Sequence, residues 1–151
     1  MDFATHLKAA LLEIGKDAQI PIEVVGDTII VCYDEFNECT LAPVNGGEAL
    51  EFQAPLLAFG PDNRDALFAE ALRLSLYGSP GMAVGLSDKV PVLLLRRRMP
   101  AAGLHQRELG EALAAFIDLT RTVREQIASA AGESSKPDSP LHAIDLVILR
   151  A

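Results

Sequence analysis

What most constrains the fold of this chain is the order in which two hydrophobic periodicities follow each other. Helical spacing opens the sequence, and strand-like alternation fills three short stretches. Helical spacing then returns, two more strand-like runs follow, and a long helical period comes last. A helix-period segment does not settle as a strand, nor the reverse, so this order fixes the class. It predicts an α+β fold of order α-β-β-β-α-β-β-α, with a mainly antiparallel twisted sheet packed on helices. At 151 residues and 50% hydrophobic content, one core in one domain is expected.

Over residues 2–16, Phe3, Leu7, Leu11 and Ile14 recur at helical spacing with Ala10 on the same stripe, and the helix is expected to end near Gly15. Residues 20–25 alternate weakly around Pro21, and Gly26 and Asp27 give a turn. The first strand is placed at 28–33, rich in β-branched residues, and the second at 39–44. A two-residue turn at Glu35 and Phe36 would set Cys32 directly opposite Cys39. Asn45, Gly46 and Gly47 form the next turn. Leu50, Phe52 and Ala54 then alternate with Glu51 and Gln53, the pattern of a strand with one wet face.

A second helix is expected from Arg64 to about Tyr77, with Asp62 or Asn63 accepting its first amide protons. Its apolar residues cover more than one stripe, which implies burial against two surfaces. Met82, Val84 and Leu86 mark a fourth strand and residues 90–95 a fifth, joined by a turn at Ser87, Asp88 and Lys89. Leu109, Leu113, Phe116, Ile117, Val123 and Ile127 trace one face of a long third helix ending near Ala131. Residues 1–131 thus read as the domain, 132–140 as a Ser- and Pro-rich flexible linker, and 141–151 as an apolar C-terminal tail.

The chemistry-bearing residues are sparse. His6, His105 and His142 stand apart from any Cys, Asp or Glu at metal-ligand spacing and read as solvated or capping side chains. Cys32 and Cys39 read as buried thiols rather than a disulfide, since directly opposed strand positions strain the bond. Neither glycine cluster follows a strand and opens a helix as a phosphate loop must. The Arg96-Arg97-Arg98 run alternates across a strand and reads as a solvated strand end. No cofactor, no metal and no enzymatic activity are expected. A net charge of −8 disfavours nucleic acid. No apolar run suits a signal peptide or membrane insertion, so a cytoplasmic protein is expected.

Three features together resemble the class I type III secretion chaperones, the Tir chaperone family. They are the amphipathic opening helix at Phe3, Leu7 and Leu11, the hairpin over residues 29–41, and the Leu-rich helix from Leu67 to Tyr77. The resemblance implies a small acidic homodimer linked to virulence. Such a protein binds the N-terminal segment of a secreted effector in extended form, keeps it soluble, and presents it to the secretion machinery, its ATPase or sorting components. It implies effector contact through Phe3, Leu7, Leu11, Ile30, Cys32 and Leu41, and a dimer surface through Leu72, Leu76, Met82, Val84 and Leu93. The extension past Gly132 departs from family members that stop after the third helix.

Two other classes fit the same residues. One is a dimeric α+β adaptor or scaffold binding a folded partner, and the other is a small enzyme whose site assembles around Arg96, Glu108 and His105. Leu141, Ile144 and residues 146–149 are too apolar for an idle terminus, so the tail is expected to dock, either completing the fold or covering a groove.

Overall fold

Helix α1 (Phe3–Ala18) begins where the Asp2 carboxylate accepts the Thr5 N–H at 2.8 Å, and it buries Leu7, Ala10 and Leu11. It runs three residues past Gly15 and stops at Gln19, a left-handed C-cap with φ +56°. Gly15 is therefore a point of close approach. A Cβ there would lie 2.5 Å from the Ile22 side chain and 2.9 Å from the Ile20 carbonyl. The computed structural model describes residues 2–35, 37–78 and 81–132. The linker and apolar tail expected beyond Gly132 lie outside these described residues, as does Phe36.

The strands are β1 (Ile22–Val25), β2 (Thr28–Cys32), β3 (Glu38–Val44), β4 (Ala49–Ala58), β5 (Met82–Leu86) and β6 (Val92–Pro100), all paired antiparallel. They form one sheet in the order β1-β2-β3-β4-β6-β5. Helix α2 (Arg64–Tyr77) carries the chain from β4 to the far edge, and β6 returns to fill the gap between β4 and β5. Helix α3 (Gln106–Ala130) then crosses the same face. The α+β class and helix order agree with the sequence reading, but the sheet gains a strand. β1 forms because Gly26, at φ +63°, takes the first position of a two-residue hairpin turn that needs positive φ. Its burial is slight, which is why its alternation is faint in the sequence.

Alternation sorts the sheet. Ile29, Val31, Leu41, Phe52, Ala54 and Leu95 face the helices, and Phe52 meets Phe116 of α3 with ring centroids 5.2 Å apart. The opposite face carries Glu51 between Arg96 and Arg98, the latter at 2.5 Å. All three arginines thus lie within β6, not beyond its end, with Arg97 opposite Phe52 and Met82. Asn63 does not cap α2 with its side chain; its Oδ1 accepts the Gly60 N–H at 2.7 Å and closes the preceding turn.

The hairpin register also differs from expectation. Cys32 pairs with Glu38, and Cys39 with Val31. One residue of slip puts the two thiols on opposite faces: Cys39 in the core, Cys32 donating from Sγ to Glu38 Oε1 at 3.4 Å. The cause is the loop at 33–37. Tyr33 N–H donates to the Asn37 carbonyl, and the Asn37 amide donates to both Asp34 carboxylate oxygens. Arg124 of α3 fixes the arrangement: Nη1 donates to Asn37 Oδ1 at 2.8 Å, while Nε and Nη2 donate to the Leu56 and Pro55 carbonyls at 2.9 Å. These carbonyls belong to the stretch of β4 where pairing with β6 shifts register, and Pro55 has no N–H to continue the ladder.

Arg124→Met leaves three acceptors without a donor and is expected to cost about 2–4 kcal/mol, read as a lower urea midpoint at unchanged m value. Arg124→Lys, lacking the fork, should recover less than half of the loss; full recovery would reduce the clamp to a point charge. Tyr33, whose ring lies under the Arg121 guanidinium at 5.6 Å, gives a second test. Burial pushes its phenol from an ordinary 10 up to about 12, against the pull of the Arg124 charge. Below pH 10 both states hold the proton and stability is unaffected. Between pH 10 and 12 only the unfolded chain releases it, so stability should fall across that window, and the fall should be shallower in Tyr33→Phe.

Candidate partner-binding surfaces

Helix α2 carries two apolar stripes. Leu67, Ala71 and Leu74 turn into the core, while Phe68, Leu72 and Leu76, spaced by four, run along another side. Leu72 and Leu76 are 70% and 74% exposed. Tyr77 and Leu86 of β5 are exposed beside them. Between helix and strand lies a small apolar groove of about 130 Å³, lined by Phe68, Ala71, Leu72, Val84, Leu86 and Leu93 with Gly85. Among the described residues only Leu12, Val24 and Val25 match these in being both large, apolar and exposed.

Those three gather at the other end of the sheet. On α1, Lys8, Leu12 and Gly15 share a stripe. Lys8 reaches the turn residue Asp27 at 3.2 Å and Gly15 abuts Ile22, so Leu12 lies alongside β1 between them. The Cys32 N–H donates to the Pro21 carbonyl, which sets the alternation of the β1–β2 ladder. Pro21, Glu23 and Val25 therefore turn their backbone groups toward β2, whereas those of Ile22 and Val24 point outward. No described strand pairs with that edge. Past the turn, a pocket of about 240 Å³ opens between Phe3 of α1, Asp27 and Pro43.

The β5 edge is closed differently. Ser75 of α2 places its hydroxyl against β5, accepting the Val84 N–H at 2.9 Å and donating to the Val84 carbonyl at 3.2 Å. A strand added there would have to displace this hydroxyl. The two ends of the sheet are thus unlike. One offers outward backbone groups with modest apolar cover, the other an apolar face at which Ser75 engages the Val84 backbone.

The residues anticipated for effector contact are dispersed by this geometry. Leu7, Leu11 and Leu41 are buried in the helix-facing core. Ile30, also buried, and half-buried Cys32 lie on the opposite face of β2, so the six do not line one groove. Only Phe3 and Cys32 retain exposure. Of the anticipated dimer residues, Leu72 and Leu76 are strongly exposed and Val84 half-buried, whereas Met82 and Leu93 belong to the core. Sequence reasoning passed over Leu12, Val24, Val25, Tyr77, Leu86 and Ser75. Leu12 did carry a signal: at 100° per residue it falls well round the helix from the stripe of Phe3, Leu7, Leu11 and Ile14.

Arg96 lies on the sheet face opposite α3, whose first turn holds Glu108 and whose N-cap is His105, so these three do not form one site. Burial pushes the Cys39 thiol far above its ordinary range, which makes it a poor nucleophile. Among the described residues no three His, Cys, Asp or Glu side chains gather closely enough to hold a metal ion, and no helix is long and apolar enough to cross a membrane.

Solved structures with this fold include the HopA1–SchA chaperone–effector complex, at 21% identity over 81% of this chain and 95% of that one, TM-score 0.60. The Yersinia pestis type III secretion chaperone SycH, in complex with a stable fragment of YscM2, matches at 20% identity over 76% and 97%, TM-score 0.56. The ExsC–ExsE complex matches at 17% identity over 83% and 96%, TM-score 0.64. At these identities the likeness is one of fold. No curated protein sequence matches significantly. The sequence model of the Tir chaperone protein (CesT) family matches residues 10–124, a stretch running from α1 to the Arg124 clamp, and the chain therefore belongs to that family.

Proposed function

We propose that this chain is a type III secretion chaperone that holds the N-terminal segment of a secreted effector in extended form and keeps it soluble and competent for secretion. Family membership supports the class, and the open β1 edge carries the mode of binding. An extended segment laid on β1 gains backbone hydrogen bonds from Ile22 and Val24 with little demand on its sequence. Leu12 and Val25 supply apolar contact at that edge, and the pocket at Phe3 and Asp27 takes a side chain further along. Buried Leu7, Leu11, Ile30 and Leu41 contribute by holding α1 and the hairpin in place.

The protein acts as a homodimer in the bacterial cytoplasm, and Leu72 and Leu76 with Tyr77 and Leu86 meet a second copy. A face this apolar on a helix already buried along its other stripe is what a self-associating surface requires. Delivery of the bound effector to the secretion ATPase or to sorting components follows from that role. The reaction is physical: segment binding and release, with no bond made or broken.

The test pairs two variants with N-terminal segments of the host's type III effectors. Leu72→Glu with Leu76→Glu should halve the mass seen by light scattering and leave the circular dichroism spectrum intact, since both side chains are solvent-facing in the monomer. Val24→Pro removes one outward donor without touching the β1–β2 ladder, because proline is tolerated on an edge strand. It should weaken effector binding about fivefold, the effect expected from losing one backbone hydrogen bond of about 1 kcal/mol, while leaving the dimer unchanged. Undiminished binding by Val24→Pro would move the site away from β1 and favour an adaptor that docks a folded partner.

A further inference from the structure

We infer that two copies of this chain meet in one register: their α2 helices cross antiparallel at Leu72, and Leu76 of each copy fills the groove between α2 and β5 of the other. This rests on the reading of that face as the dimer surface and adds its geometry. Three observations carry it.

First, the spacing is self-complementary. Phe68, Leu72 and Leu76 form a ridge of period four along α2. A two-fold axis through Leu72 sets each residue against the one equally far on the other side, so Leu76 of the second copy comes to Phe68. Second, a hole waits there. Phe68 is one wall of the groove of about 130 Å³, and Val84, Leu86 and Leu93 complete it. Phe59 holds the Phe68 ring edge-on, with centroids 4.9 Å apart. At about 30 Å³ for each heavy atom the groove takes about four of them, the size of a leucine side chain. The same contact made twice closes the pair and leaves neither groove open to a third copy.

Third, the patch has the size a dimer needs. Leu72, Leu76, Tyr77 and Leu86 are 70%, 74%, 77% and 54% exposed. Together they present about 500 Å² of apolar surface, near the upper limit of what a monomer leaves uncovered. Two such patches bury about 1,000 Å², the lower bound of a specific interface. The Ser75 hydroxyl already holds the Val84 N–H and carbonyl, so an extended segment gains no pairing at Val84 and the surface offers face packing instead. The nearest charges on the helix cancel, because Arg73 Nε donates to Glu70 Oε2 at 2.9 Å within one turn.

Single cysteines in the full chain read the register. With axes ~8–10 Å apart and Cα atoms ~2.3 Å from each axis, the two Cα atoms at position 72 lie ~4–6 Å apart, within disulfide reach. Those at position 76 lie ~6 Å along each helix from the crossing, in opposite directions, and so ~11 Å or more apart, beyond reach. Under mild oxidation Leu72→Cys should give a covalent dimer and Leu76→Cys alone should not. Phe68→Cys combined with Leu76→Cys in one chain should crosslink again. The natural chain, with Cys32 on β2 and Cys39 on β3, is the blank. Leu76→Ala, which empties two grooves at once, should raise the dimer dissociation constant at least a hundredfold. Crosslinking of Leu76→Cys alone overturns the register, since a parallel crossing sets every residue against its own copy. A protein that light scattering shows to be a dimer, yet that crosslinks at neither position or is unmoved by Leu76→Ala, overturns it too while the dimer reading stands. A natural chain that stays monomeric overturns both.

Discussion

Arg124 is the contact on which the arrangement of layers depends. A proline in an interior strand removes a ladder donor, and β4 meets this at Pro55 by shifting register against β6. The carbonyls of Pro55 and Leu56 accept from the guanidinium of a helix that comes from the far end of the sequence, and the same group holds Asn37. One side chain therefore ties α3 to the middle of the sheet and to the β2–β3 loop. With α3 so placed, Phe116 lands on Phe52, and Arg121 lies 4.0 Å from Asp34 of the same loop.

The sheet treats its two ends unequally, and that inequality is where function enters. Exposed edge strands invite unwanted pairing, and proteins blunt them with charges, short length or covering groups. At β5 the covering group is the Ser75 hydroxyl, and the apolar side chains of Leu72, Leu76 and Leu86 around it are exposed. At β1 the strand is short, four residues with a charged Glu23 among them, and two of them aim backbone groups outward. A segment bound by backbone pairing at one end and a partner bound by apolar packing at the other can be accommodated together, because the two surfaces share no residue.

Periodicity made the helices and most of the strands legible. Helix α2 matches its expected bounds, and its doubled apolar stripe falls on two sides: Leu67 and Leu74 are buried, while Leu72 and Leu76 opposite them are exposed. The strand β1 was hard to see because Ile22 is half-buried and the rest of it is exposed, so burial imposes little pattern on the sequence. Register in the β2–β3 hairpin escaped for another reason. It is decided by Asn37, which bonds to Asp34 three residues away and to Arg124 far along the chain, and no local turn rule contains the second partner. Periodicity marks the core more readily than the surface. Leu7, Leu11 and Leu41 are conspicuous in sequence because they are buried, whereas Leu12 and Val25, which break the pattern, are exposed.

The size of the β1 edge decides what can use it. Ile22 and Val24 offer two outward donors and two acceptors, and at about 1 kcal/mol net for each hydrogen bond the edge contributes ~4 kcal/mol. That corresponds to a dissociation constant near 1 mM, too weak to hold a separate partner at cellular concentrations. In the proposed mode an effector segment continues past the strand, onto Leu12, Val25 and the pocket at Phe3. Covering two or three such aliphatic contacts adds about 4 kcal/mol and brings the affinity into the micromolar range.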